Sequence, residues 1–572
     1  MDEEIRERVE EAAEIDALFN ALKHDSDAQV GAIMGPLMGA NPEFREYGDE
    51  IAGVIAPVVQ RVNDMDAAEK RDRLDELAPE RLDELESDDE EDEHALPDLP
   101  NADDYDEVRM RAAPNPNGPW HLGHARMPAV IGTYKERYDG SFVVRFDDTD
   151  PETKRPDLSA YDAILEDIDY LGFEPDEVLR ASDRLETYYD HARELIEQGG
   201  AYTCTCPQEE FSDLKNSGEA CPHREKDPEQ TREEFEAMID GEYESGEITL
   251  RVKTDITHKN PALRDWVAFR MIDTPHPREE ASEYRCWPML DFQSGIDDHL
   301  TGVTHIIRGI DLQDSAKRQR FVYDYFGWEY PEVLHWGHVQ IDAYDVQMST
   351  STMVEKIENG ELSGWDDPRA PTIASVRRRG IRGQALVDAM LELGLSTSDV
   401  DLAMSTVYSN NRELIDDDAD RRFFVRDGVE LPVSGGPDVA NPPLHPDHED
   451  RGTRDIPVGD AVLIEEQDLP VEGEKVWLKG FGPVKRTPDG LEHTDDDLDV
   501  VKSGDVDVIH WVPAGESVPV RLRTVEGDEA GHAEPGYAEY DADEMVQFER
   551  VGFARLDERN DDGESVAYFA HP

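Results

Sequence analysis

The chain has 572 residues and a formal net charge of -77 at neutral pH, with an isoelectric point near 4.3. That length exceeds what one hydrophobic core organises, so about three to five domains are expected. The charge argues against a nucleic-acid ligand, since RNA binding relies on lysine and arginine replacing condensed counterions, and the acidic start MDEEIRERVEE with no long apolar run argues against membrane and secreted classes, leaving a soluble cytoplasmic protein as the expectation.

The acid is spread over the whole chain, and lysine is scarce beside arginine. That is the pattern of a surface solvated in strong salt, as in a halophile. In molar salt the Debye length falls to about 3 Å, which silences diffuse repulsion while close arginine–phosphate contacts survive. An RNA ligand is then admissible. Its binding is expected to persist or strengthen as KCl rises to molar levels, and a steep loss over that titration would contradict the reading.

Residues 1–86 alternate apolar and charged positions at helical spacing, as in IRERVEEAAEIDALFNAL and EIAGVIAPVVQRVNDM, which predicts a small helical domain. No site is visible in it, and a solvated helical module explains it equally well. SDDEEDEHALPDLPNADD, residues 87–104, packs like charges with prolines and reads as an acidic, solvated linker.

From 105 the pattern is strand, helix, strand: EVRMRA, HLGHARMPAVIGTYKERY and SFVVRFDD. Strands alternating with helices imply a parallel sheet with its ligand at the strands' C-terminal edge, where PNPNG and DDTDP fall. RAAPNPNGPWHLGHAR, residues 111–126, is the most informative stretch. A proline- and glycine-rich turn leads into a helix whose first turn carries His121 and His124, three apart and therefore on one face. A phosphate favours a helix N-terminus, and glycine lets it approach closely. Two imidazoles there could stabilise charge building on a phosphoryl group. A bare H-x-G-H arises by chance; the flanking turn and strand carry the reading.

Residues 105–200 thus form the first half of a nucleotide-binding domain. An insertion occupies 201–285, and the sheet pattern resumes at PMLDFQ and THIIRG in a second half, 286–352. Residues 353–425 read as a helical connector containing VRRRG and RGQALVDAMLELG. Beyond 425 come short strands such as AVLIEE, KVWLKGF, DVIHWV and VPVRLRTV, which predict β-barrels over 426–572.

Within the insertion, Cys204 and Cys206 pair with Cys221 and His223 across a loop. Four soft ligands at this spacing suit tetrahedral zinc, and a reducing cytoplasm would not lock them as disulfides. Free thiols beside a solvated histidine are the alternative. With four protein ligands the metal would be structural. Cys286, beside Trp287, reads as buried packing.

The motif P-x-P-x-G-x-x-H-L-G-H resembles the signature of class I aminoacyl-tRNA synthetases, and the preceding Arg-Ala-Ala-Pro resembles their glutamyl/glutaminyl branch. The similarity continues in FDDTDP (146–151), PMLDFQSGIDDHLTGVTHIIRGIDL (288–312), GWDDPRAPT (364–372), RRRG (377–380), VIHWVP (508–513) and VQFERVGFARLD (546–557). It covers nearly everything after residue 105 and is nearest the archaeal type of glutamyl-tRNA synthetases. The bacterial type carries helices where this chain carries strands.

The resemblance implies an α/β fold: a split Rossmann-like domain with an inserted acceptor-binding domain, an N-terminal helical domain, a helical connector and C-terminal anticodon-binding barrels. It implies Mg-ATP, L-glutamate and tRNA(Glu) as ligands, leaves tRNA(Gln) open, and suggests that adenylation requires bound tRNA. The sequence is silent on oligomeric state and a monomer is the default; by resemblance a transient complex with a tRNA-dependent amidotransferase is an expected partner and the N-terminal region contributes RNA affinity or docking. Related synthetases carry similar ligand pairs in the insertion, which supports the zinc positions.

ATP would be held by Pro114, Pro116, Gly118, His121, His124, Asp311, Met348 and Ser349, with His121, Gly123, His124, Ser349 and Ser351 serving catalysis. Glutamate needs arginines for its carboxylates and an acid for its ammonium. By resemblance Arg111 and Arg308 take the first role and Asp147 the second, with Leu290 and Ser294 beside them. Glutaminyl relatives lack an arginine at the Arg308 position, since an unpaired buried guanidinium is costly. Two departures stand out. Gln347-Met348-Ser349-Thr350-Ser351 lacks the lysines of the second class signature, so only hydroxyls and backbone N–H groups remain there, and Leu290 stands where many relatives place tyrosine. The rival readings are a glutaminyl-tRNA synthetase, opposed by Arg308, and a catalytically silent RNA-binding paralogue, opposed by the intact His121, Gly123, His124, Arg111 and Asp147.

Overall fold

The computed structural model describes residues 96–341, 344, 350–494 and 506–572, and before them two helices with scattered positions around them. The chain forms two compact units, Met1–Ala95 and Leu96–Pro572. In the first, helices α1 (Glu3–Lys23) and α2 (Gly48–Asn63) share one core. Val9, Ala13 and Ala17, spaced by four, bury one face of α1; Ile51, Ile55, Val58 and Val62 supply the facing stripe of α2. The Asn63 side chain both accepts from and donates to the backbone of Ala28.

In the second unit, β1 (Arg109–Ala112), β2 (Ser141–Phe146) and β3 (Glu177–Arg180) alternate with helices α3 (Arg126–Arg137) and α4 (Leu158–Tyr170). The inserted segment contributes β4 (Ala201–Cys204), β5 (Thr249–Val252), β6 (Val267–Met271) and β7 (Cys286–Pro288), which pair as one antiparallel sheet in that order. Helix α5 (Leu290–Leu300), β8 (His305–Gly309), α6 (Gln313–Phe326) and β9 (Glu332–Trp336) follow. The main sheet is parallel throughout with the order β3-β2-β1-β8-β9. Strand order reverses between β1 and β8, and in doubly wound sheets the crevice outside the C-terminal ends at that point receives the ligand.

All six positions of β2 are buried, as a parallel strand covered on both faces requires. The C-terminal strands form two seven-stranded, barrel-like sheets. One is built between Gly428 and Pro513; the other combines 518–571 with Asp420–Arg422 and Phe424–Arg426. Arg379 ties this second sheet to the connector by donating from Nε to the Phe569 carbonyl, and its guanidinium also reaches Ala570, Tyr344 and Tyr408.

Four sequence expectations change. PMLDFQ ends strand β7 at Pro288 and starts helix α5 at Leu290 rather than forming one strand, because Leu290 is exposed while Asp291, Phe292 and Gln293 are buried in succession, which is no strand alternation. The antiparallel sheet of the insertion runs to Pro288, three residues past the expected boundary. The acidic linker is docked from Leu96 onward: Leu96 and Leu99 are in the main core, and the Leu96 and Pro97 carbonyls accept from Arg137 and Tyr134. The connector contains Val400–Leu402, which pairs in parallel with Val339–Ile341, and its last residues already belong to the barrel-like sheet.

Candidate active site

A cavity of about 680 Å³ opens at the β1/β8 crevice. Its walls bring together Arg111, Pro114, Gly118, His121, Gly123, His124, Asp147, Leu290, Ser294, Arg308 and Asp311, residues drawn from segments nearly two hundred positions apart. Pro116 does not line it. That proline is buried, and its carbonyl accepts from the Asp157 N–H at 2.8 Å, so it shapes the turn instead. Met348 and Ser349 lie outside the described residues, as does the Ser351 side chain; Thr350, between them, lines the cavity.

The HLGH segment opens with a single 3-10 turn, Leu122–Ala125, before α3 begins. His121 is the residue before that turn, and its ring centroid lies 3.8 Å from that of His124. Gly123 suits this packing, because a Cβ there would sit 3.2 Å from two atoms of the His121 ring and would push that ring aside by a few tenths of an ångström. The segment is anchored from the GWDDPRAPT stretch: the Leu122 N–H donates to the Pro371 carbonyl at 2.9 Å, and the Ile373 N–H donates to the Trp120 carbonyl at 3.2 Å. Both Nδ1 atoms lack a hydrogen-bond partner among the described residues.

Burial pushes the His121 pKa down to about 4. It lowers that of His124 as well, helped by the neighbouring His121. Both rings are therefore neutral at pH 7 and offer N–H donors rather than charge. The unfolded chain takes up protons near 6.5 while the folded site resists until about 4, so the unfolded state binds more protons in that window. Stability from this pair is complete above 6.5 and is lost as pH falls towards 4. Thermal unfolding scans between pH 7 and 4.5 are expected to show this decline, and His121→Gln is expected to flatten part of it; an unchanged slope would refute the assignment.

Another part of the cavity wall is an arginine cluster built on one carboxylate. Arg111 donates to both oxygens of Asp298 at 3.0 and 3.2 Å, and Arg145 donates to Asp298 at 2.6 Å and to Asp147 at 2.8 Å. Burial opposes the Asp298 charge, but Arg111 and Arg145 outweigh it and hold its pKa well below the ordinary carboxylate value. Arg308 stands 3.8 Å from Asp298, beyond hydrogen-bond reach. Its Nη1 donates to Gln319 at 3.3 Å, while Nε and Nη2 are buried without a partner among the described residues. Burial and the adjacent Arg111 push its pKa down. A guanidinium in this state is a receptor for a carboxylate.

Sequence reasoning did not find Arg145, Asp298 or Gln319. A charge inside the apolar strand SFVVRF and the paired acids of SGIDDHL were the available signals, since a charge at a core position needs a partner.

In the insertion, one donor atom from each of Cys204, Cys206, Cys221 and His223 lies within 4.8 Å of the others. Zn–S bonds near 2.3 Å and Zn–N bonds near 2.0–2.1 Å at tetrahedral angles demand about 3.8 Å between sulfurs and about 3.6 Å between sulfur and nitrogen. The Cys204 and Cys221 sulfurs are 3.8 Å apart, and His223 Nδ1 lies 3.3 Å from Cys206 and 4.0 Å from Cys221. His223 Nε2 is hydrogen-bonded to Thr205 Oγ1 at 3.1 Å, which leaves Nδ1 for the metal. The donor set fits zinc.

The fold and site define a class I synthetase catalytic domain, and comparison with known proteins agrees. Residues 107–417 match the catalytic domain of the class I tRNA synthetases for glutamate and glutamine, and 419–501 and 508–557 match their two anticodon-binding domains. The chain is 72% identical to the glutamate–tRNA ligase of Natronomonas pharaonis and 71% identical to that of Haloarcula marismortui, over the whole of each chain. It is 46% identical to that of Methanosarcina mazei, over 97% of both chains. The chain belongs to the glutamate–tRNA ligases of the archaeal, halophilic type. Enzymes of class I use ATP with magnesium. Among the described residues no helix is long and apolar enough to cross a membrane.

Proposed function

We propose that this chain activates L-glutamate with Mg-ATP and transfers it to the 3′ end of tRNA(Glu), using the residues gathered in the β1/β8 crevice. The observation that carries the substrate assignment is Arg308, whose Nε and Nη2 lack hydrogen-bond partners among the described residues while its neighbours Arg111 and Arg145 are engaged with Asp298. A γ-carboxylate satisfies that guanidinium, whereas a γ-amide leaves it half-paired in a buried site. Asp147, held by Arg145, receives the substrate ammonium.

In the first step an oxygen of the α-carboxylate attacks the α-phosphorus of ATP, and pyrophosphate leaves with the bonding electron pair. The neutral His121 and His124 donate to the phosphate oxygens as charge gathers on them, and the preorganised donors need no movement to do so. In the second step a ribose hydroxyl of the tRNA end attacks the mixed-anhydride carbonyl, and AMP departs. No side chain becomes covalently attached. A stable glutamyl-adenylate analogue titrated calorimetrically is expected to bind at least about tenfold more tightly than its glutaminyl counterpart, the discrimination expected of one unpaired charged hydrogen bond. Equal affinities would refute the pocket.

Zinc held by Cys204, Cys206, Cys221 and His223 would lock the insertion and take no part in the chemistry. The reduced thiols it needs suit the cytoplasm. About one zinc per chain is expected by atomic absorption. Cys221→Ser is expected to lose it, with amide exchange rising in 201–288 and unchanged in β1, β2 and β8; full zinc occupancy in this variant, or metal-free wild type with an equally protected insertion, would contradict the assignment.

A further inference from the structure

We infer that Gln319 is a specificity-positioning residue: it dictates which edge of the Arg308 guanidinium is presented to the substrate side chain. The inference rests on the glutamate reading of the pocket. Gln319 lies on α6 and is completely buried. It is wedged against α5, where a Cβ on Gly295 would come within 3.3 Å of its Cγ. Its Oε1 accepts from Arg308 Nη1 at 3.3 Å and from the Tyr330 hydroxyl at 2.6 Å, and its Nε2 donates to Ser294 Oγ at 2.5 Å.

This set of partners fixes the amide. Turning it over would aim its NH2 group at the Arg308 guanidinium, which can only donate, so the observed orientation is the one that keeps the Arg308 bond. With Oε1 fixed, Nη1 of Arg308 is engaged, and the edge formed by Nε and Nη2 is the one left without partners among the described residues. Those two nitrogens lie side by side and match the two oxygens of a carboxylate. Ser294, the third member, also lines the cavity, so the network connects the arginine to the wall that faces the substrate.

The neutrality of Gln319 is as important as its geometry. A carboxylate in its place would pair with Nη1 and cancel the charge that Arg308 directs to the substrate. Asp298 offsets that charge only in part: it stands 3.8 Å from Nη2 and gives its hydrogen bonds to Arg111 and Arg145. Tyr330 serves as the outer brace. Its hydroxyl, whose pKa burial pushes up to about 12, remains a donor at all physiological pH values.

The test compares kcat/KM for glutamate and for glutamine in Gln319→Glu, Gln319→Leu and Tyr330→Phe, using the full chain, Mg-ATP and tRNA. Gln319→Glu is expected to raise the KM for glutamate about tenfold or more and to shrink the glutamate-to-glutamine ratio by a similar factor, with the KM for ATP unchanged. Tyr330→Phe, which removes one hydroxyl and keeps the ring, is expected to shift the same ratio by about threefold. A purely structural role would lower kcat for all substrates and leave the ratio intact. An unchanged ratio in Tyr330→Phe, and in whichever Gln319 variants fold, overturns the inference. Failure of the wild type to charge with glutamate strikes instead at the pocket reading itself, so the two failures are distinguishable.

Discussion

Replacing His124 by alanine is expected to lower kcat for glutamate charging by about 100- to 1,000-fold, the usual cost of removing one preorganised donor from a developing phosphoryl charge. The argument is geometric. His124 is buried against Trp120 with ring centroids 5.7 Å apart, and it sits 3.8 Å from His121, so neither ring can swing to cover for the other. No second-signature lysine is present to compensate, because the corresponding stretch reads QMSTS. The loss should fall on kcat rather than on the KM for ATP, since a donor that acts on charge present only in the transition state leaves ground-state affinity nearly intact. Single-turnover charging, with a melting curve to show the fold is kept, measures it. A decline of less than about fivefold would mean that the histidine pair is not the source of phosphoryl stabilisation.

Arg308→Ala is expected to lower kcat/KM for glutamate by about 100-fold or more, because two charge-assisted hydrogen bonds to the side-chain carboxylate disappear together. Folding should suffer less than is usual for a buried arginine. Asp298 keeps its direct bonds to Arg111 and Arg145, and Gln319 keeps Tyr330 and Ser294. Breaking a buried ion pair is costly when it strands the partner, and here no partner is stranded. Glutamine, whose amide pairs with only one edge nitrogen of the guanidinium, should lose much less from the change. Parallel loss for both amino acids would contradict the assignment of Arg308 to the side chain.

What could be read from the sequence was what is local in it. Arg111 to Arg126 carries strand end, turn and helix start within sixteen residues, so the chemistry of that segment needs no long-range knowledge. The zinc pair likewise combines two short ligand spacings. The sheet order was inferable only as parallel, and its switch point became visible when β8 was seen beside β1. Asp298 was hidden for a physical reason. It follows Asp297 in a helix whose pattern looks like a solvated surface, and only the convergence of β1, β2 and β8 surrounds it with three arginines. Gln319 was hidden more deeply, because KRQR looks like an exposed polar run. The stretch 96–104 looked solvated because its acidic residues dominate the pattern, whereas two leucines and the backbone carbonyls of Leu96 and Pro97 dock it.

The most direct test of the whole account is charging of tRNA with radiolabelled glutamate and with radiolabelled glutamine, side by side, in molar KCl with Mg-ATP. The account predicts charging with glutamate alone, which would show that a lysine-free second loop supports catalysis and that Arg308 reads a carboxylate. Charging with glutamine instead would contradict the pocket, and failure with both in a folded protein would reduce the chain to an RNA-binding relative that has kept the site's shape without its activity.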